Sequence, residues 1–423
     1  MATTQANNRR DTLAKRYLET RELSNTLIAP LSAEDACVQS MPDASPAKWH
    51  IAHTTWFFET FLLKSCESNY RPFHEAFEFL YNSYYNGVGA QYSRPDRGLI
   101  TRPSLDDILG YRQYVDARMG DLIETLDAGD PAIDLIELGI NHEQQHQELL
   151  LMDIKHLFSL NPLYPSYASG APAISAPEPH ALGWRTHSEG IGEFGSAGSS
   201  FCFDNETPVH KHYLEAFEIA DRVVTNGEFL AFIDDGGYQS PLLWLSDGWS
   251  VVNEHSWLAP LYWRQVDGVW HEFSLRGLHP LDLSAPVCHV SFYEADAFAR
   301  WSRARLPSEY EWERVAASRT LNGNFLDLSC LVPKPASIEG SYRQLFGDVW
   351  EWTHSAYTPY PGFKTAPGAV GEYNGKFMSN QMVLRGGCCV TPPGHTRVTY
   401  RNFFYPHNRW QFAGIRLARD LAR

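Results

Sequence analysis

Two histidines one helical turn apart, His142 and His146, are the residues of this sequence with the most evident chemical potential; they lie in the string HEQQH. Side chains at positions i and i+4 of a helix are neighbours, so both imidazoles can bind one transition-metal ion. The spacing alone is weak evidence, because random placement of 17 histidines in 423 residues gives about 0.7 such pairs per chain. Zinc peptidases share the pattern, and in such an enzyme Glu143 would act as the general base.

A third metal ligand is expected upstream, in the string WHIAH, where either His50 or His53 can supply it. An all-histidine site of this kind leaves coordination positions open for substrates. The peptidase alternative places its third ligand downstream, but the sequence continues there with the leucine-rich string QELLLMDIKH. A further alternative is that each histidine is a hydrogen-bonded core residue.

Four segments with helical periodicity must position these residues. The first spans residues 11–27. The second has Ser45 as its predicted N-cap and Pro46 at its first helical position. The third follows Ser104, which can cap it, and the fourth covers residues 134–158 and contains the histidine pair.

These helices predict an antiparallel bundle over residues 1–160, with a metal site built from inward side chains. The long connection at residues 66–103 is expected to be functional. Residues 161–183 are rich in Pro, Ala and Ser and are typical of a linker. Residues 184–423 contain short strand-like runs and two helix starts, SFYEADAFARW and LPSEYEWERVAA, which predict an α+β domain. The predicted fold class is therefore multidomain, α followed by α+β.

Composition excludes several classes of partner. The formal net charge of −15 repels nucleic acid and anionic lipid, and no run of basic residues offsets it. No stretch is long and apolar enough to serve as a membrane span, and the N-terminus resembles no secretory signal. The seven cysteines form no C-x-x-C motif and are odd in number, which favours a reducing, cytoplasmic location over a disulfide framework.

Several motifs together resemble those of the ergothioneine-biosynthetic sulfoxide synthases. They are SPAKWHIAHTTWFFE, NSYYNGVG and HEQQHQELL, followed by LFGDVWEWT, VLRGG and RNFFYPHNRWQFAGIRLAR. That family joins a DinB-like four-helix bundle to a C-type-lectin-like domain similar to the formylglycine-generating enzymes. The resemblance implies one non-haem Fe(II) bound by His53, His142 and His146, with His50 outside the ligand set. It also implies the reaction, in which Nα-trimethylhistidine (hercynine) and a thiol are joined with O2 to form a carbon–sulfur bond and a sulfoxide.

The resemblance also implies roles for residues of the long connection. Tyr84 and Tyr85 in NSYYNGVG are the implied catalytic proton donors. Another branch of the family uses a tyrosine from the C-terminal domain, and Tyr373 in GEYNGKF is the lower-ranked counterpart of that residue here. Arg94 and Arg97 in SRPDRG are implied to bind the carboxylate of the thiol substrate. A guanidinium suits this task because it offers paired donors to a carboxylate.

Substrate specificity is implied by four further positions. Hercynine carries a trimethylammonium group with no N–H to donate, so its recognition depends on amide dipoles and aromatic faces. The resemblance assigns this role to Gln145, Asn402 and Phe403. Relatives that use γ-glutamylcysteine have an Asp where this sequence has Phe404, so we predict free cysteine as the thiol donor.

Besides the zinc peptidase, two other functions remain as alternatives to a sulfoxide synthase. A selenoneine synthase would take a selenosugar in place of cysteine, and a lectin-like binding module would have no enzymatic activity. Sulfatase activation is not expected, because Cys388 and Cys389 follow Gly387 at once, whereas the paired cysteines of formylglycine-generating enzymes lie several residues further on. Buried packing is the predicted role of this cysteine pair.

Overall fold

The chain divides into two compact units in a computed structural model that describes residues 2–127, 129–170, 181–337 and 340–421. The first unit comprises Met1–Pro162 together with Ala366–Tyr373, and the second comprises Leu163–Thr365 and Asn374–Arg423. Part of the predicted linker, residues 171–180, lies outside the described residues. The sequence did not indicate that a short segment from the C-terminal half belongs with the helical unit.

The first unit is helical, as predicted. Its helices are α1 (Ala2–Ile28), α2 (Ala33–Cys37), α3 (Ala47–Phe58), α4 (Lys64–Cys66), α5 (Phe77–Tyr81), α6 (Leu105–Thr125) and α7 (Pro131–Ser159). A π-helical turn, Glu59–Leu63, connects α3 to α4. Helix α3 contacts both α6 and α7, and α1 contacts α7, so the four long helices bury a shared core. None of the described helices is long and apolar enough to cross a membrane.

Local sequence explains where the helices that carry the site begin. Ser104 and Asp107 form a capping box at the start of α6, as the sequence predicts. The predicted N-cap of α3 is wrong: Pro46 occupies that position and Ser45 lies outside the helix. The Ser45 hydroxyl is engaged elsewhere, because it accepts a hydrogen bond from Nη1 of Arg97 at 2.9 Å.

The second unit is an α+β domain. Its described residues form four small sheets, with strand orders β1-β4-β12, β10-β9-β8-β11, β2-β3 and β5-β6-β7. The strands are β1 (Trp184–His187), β2 (Gly190–Phe194), β3 (His210–Leu214), β4 (Phe217–Ala220), β5 (Trp263–Val266), β6 (Val269–Ser274), β7 (Gly277–Pro280), β8 (Trp350–Ala356), β9 (Met382–Arg385), β10 (Asn402–Phe404), β11 (Ala413–Gly414) and β12 (Ala418–Asp420). The helices are α8 (Asn226–Asp234), α9 (Ser246–Glu254), α10 (Phe292–Trp301) and α11 (Glu309–Ala316).

Both helix starts predicted in this unit are present. Ser291 caps α10, and Ser308 with Glu311 forms the capping box of α11. Trp350 and Trp352 are buried in this unit, as are Cys388 and Cys389. These cysteines therefore have the buried packing role that the sequence predicts.

Candidate metal centre

The structure brings the three predicted metal ligands together in the core of the first unit. His53 lies on α3, and His142 and His146 lie one turn apart on α7. Their exposed fractions are 0%, 4% and 8%. Each imidazole offers a ring nitrogen, and these three nitrogens all lie within 4.8 Å of one another. The i, i+4 pair on one helix and a single histidine on the neighbouring helix thus converge on one point.

Unpaired ring nitrogens show that these residues fit a metal ion. Nδ1 of His53 donates a hydrogen bond to the Tyr81 carbonyl oxygen at 2.6 Å, so its Nε2 carries the lone pair. This Nε2 and both ring nitrogens of His142 are buried without a hydrogen-bond partner among the described residues. Buried polar atoms are rarely left unpaired, because losing their hydration costs free energy. A metal ion bound between the rings would supply the missing partner.

Burial also holds the three imidazoles in the form that binds metals. Desolvation lowers the pKa of His142 to about 4. Desolvation and the neighbouring His142 lower the pKa of His53 well below its usual range, and the same causes act on His146. The three rings are therefore neutral at physiological pH, and neutral imidazole is the ligand form.

Aromatic stacking fixes the ring plane of His53. Its ring lies between those of Trp49 and Trp56, at centroid distances of 4.6 and 5.5 Å and nearly parallel to both. The guanidinium carbon of Arg97 lies 3.4 Å from the Trp49 ring centroid on α3. The four groups form a stacked column that begins at a buried cation and includes a metal ligand. The sequence assigned no role to either tryptophan.

Glu143 has a structural role, and the zinc-peptidase alternative is therefore wrong. One carboxylate oxygen accepts hydrogen bonds from the Ser24 hydroxyl at 2.6 Å and from Arg112 Nη2 at 2.5 Å. The other oxygen accepts one from Arg21 Nη1 at 2.8 Å. Burial alone would raise its pKa, but the two guanidiniums lower the pKa of Glu143 to about 2. A carboxylate engaged in this way is not available as a general base.

His50 is not part of the histidine cluster, in agreement with its predicted place outside the ligand set. Its Nδ1 lies 2.9 Å from Nδ1 of His146, and its Nε2 lies 3.0 Å from a carboxylate oxygen of Asp153. A side chain that forms a hydrogen bond with a metal ligand commonly orients that ligand. Asp153 is a residue that sequence reasoning missed.

The two loop tyrosines differ in their surroundings. The Tyr84 ring is half-buried and lies 6.5 Å from the His53 ring. Tyr85 is only 3% exposed and packs behind the site, against Trp56 and Phe61 at 5.7 and 5.1 Å. The two tyrosine rings are 4.8 Å apart. Of the two predicted proton donors, Tyr84 is therefore the one beside a ligand ring.

A short segment from the C-terminal half, Ala366–Tyr373, contacts the tyrosine loop within the first unit. The Tyr373 ring stacks on that of Tyr84 at 5.1 Å. The carboxylate of Glu372 accepts hydrogen bonds from the backbone N–H groups of Asn86 and Gly87, at 3.0 and 2.7 Å. A Cβ at Gly87 would lie 2.9 Å from this carboxylate, so glycine permits the close approach. No local sequence pattern indicated this contact.

The two arginines predicted to bind substrate also differ. Arg97 is only 3% exposed, and its guanidinium donates to the hydroxyls of Ser45 and Ser83, each at 2.9 Å. Its Nε has no hydrogen-bond partner, and no carboxylate among the described residues forms an ion pair with it. Burial lowers the pKa of Arg97 to about 9. Arg94 is exposed and donates to the Asp43 carbonyl oxygen at 2.5 Å.

The remaining predicted substrate residues lie on two elements. Gln145 is half-buried on α7, between the two ligand histidines in sequence. Asn402, Phe403 and Phe404 form β10 in the second unit. There the Phe403 ring stacks on Tyr357 at 4.1 Å.

Two family models match this chain, one in each half. Residues 16–150 match the DinB superfamily, and residues 188–329 and 332–421 match the sulfatase-modifying factor enzyme 1-like domain. The formylglycine-generating enzyme of Streptomyces coelicolor is 32% identical over 310 residues, which cover 60% of this chain and 95% of that protein.

Two relatives extend the similarity across both units. The hercynine oxygenase of Mycolicibacterium smegmatis is 32% identical over 446 residues, covering 97% of this chain and 99% of that protein. The hercynine oxygenase of Mycobacterium tuberculosis is 32% identical over 416 residues, covering 92% of this chain and 94% of that protein. With its buried three-histidine centre and both domains matched, the chain belongs to the hercynine oxygenase family.

Proposed function

We propose that the protein is an iron(II)-dependent hercynine oxygenase that joins hercynine to free cysteine with O2 and gives hercynylcysteine sulfoxide in ergothioneine biosynthesis. The observation that carries the proposal is the cluster of His53, His142 and His146, whose candidate ligand nitrogens lie within 4.8 Å of one another. Nε2 of His53 and both ring nitrogens of His142 are buried without a hydrogen-bond partner among the described residues. The relatives named hercynine oxygenase support the choice of substrate.

The donor set is the reason to propose iron. Three neutral imidazoles suit a first-row transition metal and leave several coordination positions open. Fe(II) bound there would supply the activation of O2 and a binding position for the thiolate. The protein's own contribution is to hold the three ligands on two packed helices and to exclude competing bases, since Glu143 is engaged by Arg21 and Arg112.

Arg97 is the proposed binding residue for the cysteine carboxylate. A buried guanidinium with hydroxyl partners and no carboxylate partner among the described residues is an unusual arrangement, because burial of an uncompensated charge is costly. An incoming carboxylate would neutralise the charge and form charge-assisted hydrogen bonds. Arg94, which is exposed, is the proposed second contact.

Tyr84 is the proposed proton donor. Its ring lies beside the His53 ring, and burial raises the pKa of its hydroxyl well above the usual range, so the phenol is protonated and can donate. Burial also raises the pKa of the Tyr85 hydroxyl, so both phenols are protonated, and a hydrogen bond joins the two hydroxyls. Tyr373, stacked on Tyr84, is the alternative donor.

The proposed hercynine contacts rest on the family resemblance. Gln145 and Asn402 offer amide dipoles, and Phe403 offers an aromatic face to the trimethylammonium group. Phe404 cannot pair with the ammonium of a glutamyl group, which is the reason to propose free cysteine over γ-glutamylcysteine.

Anaerobic reconstitution tests the proposal. The protein is loaded with Fe(II), mixed with hercynine and one donor, and then exposed to air while O2 uptake and product mass are recorded. Cysteine should give the sulfoxide with the highest kcat/KM among cysteine, γ-glutamylcysteine and a selenosugar. Preference for the dipeptide or the selenosugar would overturn the donor assignment. Failure to consume O2 with any donor would favour a binding module that has no enzymatic activity.

A further inference from the structure

A chain of buried polar groups leads away from the metal ligand His146. Nδ1 of His146 lies 2.9 Å from Nδ1 of His50, and Nε2 of His50 lies 3.0 Å from Oδ2 of Asp153. The same Oδ2 accepts a hydrogen bond from the backbone N–H of Ser45 at 2.8 Å. All four residues are buried. None of these contacts belongs to the regular hydrogen bonding of a helix.

The chemistry of the acceptor sets the direction of the hydrogen bonds. An ionised carboxylate only accepts, so Nε2 of His50 carries the proton that is donated to Asp153. The Nδ1 of a neutral His50 is then an acceptor, and Nδ1 of His146 must be the donor in the contact between the two rings. With its proton on Nδ1, His146 presents the lone pair of Nε2, as His53 does.

The same chain reaches the proposed carboxylate site. Ser45 donates its backbone N–H to Asp153, and its hydroxyl accepts from Nη1 of Arg97. Ser45 precedes α3, which carries His50 and His53, while Asp153 lies on α7 two helical turns after His146. The hydrogen bonds therefore join the beginning of one ligand-bearing helix to the other ligand-bearing helix and to a buried cation.

We propose that His50 and Asp153 are positioning residues for the metal centre: they fix the proton and the ring orientation of His146 so that its Nε2 faces the metal. This inference rests on the proposed function, because it takes the three histidines to be the ligands. A carboxylate behind a ligand histidine also makes the ligand nitrogen more basic, and loss of such a partner commonly weakens metal binding by about 10- to 100-fold.

Paired substitutions separate positioning from simple packing. In His50→Gln, the amide oxygen can still accept from His146 and the amide N–H can still donate to Asp153. In His50→Leu, the side chain has a similar bulk but can neither accept a hydrogen bond from His146 nor donate one to Asp153. Asp153→Asn retains an acceptor and the side-chain shape but removes the charge. His156→Leu is the matched control. His156 lies on α7, as Asp153 does, and its Nδ1 contacts the Ser40 hydroxyl instead of a metal ligand.

The measurement is the dissociation constant and visible absorption of Co(II), titrated anaerobically into the metal-free full-length protein. We expect His50→Leu to weaken Co(II) binding by about 10- to 100-fold and to alter its absorption bands, and Asp153→Asn to weaken binding by about 10-fold. His50→Gln should stay close to the wild type, as should His156→Leu. Thermal unfolding of each metal-free variant shows whether it is folded.

The inference fails if folded His50→Leu or Asp153→Asn binds Co(II) as the wild type does, or if His50→Gln is as impaired as His50→Leu. Should His50→Leu not fold, Asp153→Asn decides the question alone, since it preserves shape. The wild type and His142→Leu are measured alongside. Wild-type protein that binds no metal, or that binds it equally well without His142, would contradict the proposed function itself, whereas normal variants of the positioning pair would contradict only this inference.

Discussion

One turn of helix α7 contributes residues to two buried polar clusters. The clusters differ in whether their polar atoms have hydrogen-bond partners. His142 and His146 face His53, and both ring nitrogens of His142 and Nε2 of His53 are buried without hydrogen-bond partners among the described residues. Glu143, between them in sequence, has both carboxylate oxygens engaged by Ser24, Arg21 and Arg112. The paired cluster stabilises the bundle, and the unpaired cluster is prepared for a ligand. Both clusters are polar and buried, so it is the presence or absence of hydrogen-bond partners that distinguishes the structural residues from the metal-binding ones.

Removing one imidazole from the unpaired cluster should have the largest effect. His142→Leu is expected to lower the rate of product formation at least 1000-fold, roughly the several kcal/mol that a metal centre contributes. The fold should survive, because the substitution replaces two unpaired polar atoms with apolar ones of similar bulk. Product analysis after Fe(II) loading and urea unfolding of the metal-free protein check both parts. Strong destabilisation of the metal-free protein would show that the histidines have a structural role.

Removing the charge of Glu143 should have the opposite effect, with stability lost and metal binding retained. Glu143→Gln leaves two buried guanidiniums without their carboxylate and should lower the free energy of unfolding by about 3–5 kcal/mol. Folded Glu143→Gln should still bind Co(II) like the wild type. The control is Glu19→Gln, which removes an exposed ion pair with Lys15 and should cost at most about 0.5 kcal/mol. A variant with unchanged stability and lost turnover would contradict the structural role.

The sequence predicted most of what is local in this comparison. Capping residues and helical periodicity located α6 and α7, and the family motifs selected His53 over His50 as the third ligand. Contacts between distant positions could not be predicted, because nothing in the string HEQQH indicates that Arg21, 122 positions away, engages Glu143.

The other long-range contacts could not be predicted either, because their partners are also far apart in sequence. Glu372 reaches the tyrosine loop across 285 positions, and Asp153 contacts the Ser45 backbone across 108. Even the N-cap of α3 was predicted wrongly, because the Ser45 hydroxyl is engaged by Arg97, a partner that only the tertiary structure reveals. Local sequence therefore predicts where the helices lie, whereas the hydrogen-bond partners of the site's polar groups depend on tertiary packing.

Tyr84 and Tyr85, beside the metal centre, offer a second comparison between a residue proposed to act in the reaction and one that packs in the core. Tyr84→Phe should reduce kcat about 100-fold, the usual contribution of a positioned proton donor, with little change in Co(II) affinity. Tyr85→Phe should reduce kcat only a few-fold, because the Tyr85 ring packs against Trp56 and Phe61 behind the site. Steady-state kinetics on the iron-loaded variants distinguish the two. A larger loss in Tyr85→Phe, or in Tyr373→Phe, would assign the donor to that residue instead.

Arginine offers the same contrast as the two clusters on α7, with a smaller expected effect. Arg97→Met should raise KM for cysteine about 10- to 30-fold, as expected for the loss of a charge-assisted hydrogen bond. Its stability should change little, because the hydrogen-bond partners of Arg97 are hydroxyl groups and no carboxylate among the described residues is left unpaired by the change. Arg21→Met should instead destabilise the protein, since it leaves Asp116 and Glu143 without a shared cation. Cysteine kinetics and urea unfolding of both variants test the difference; if Arg97→Met unfolds as readily as Arg21→Met and binds cysteine normally, an unpaired buried cation is no guide to a substrate site.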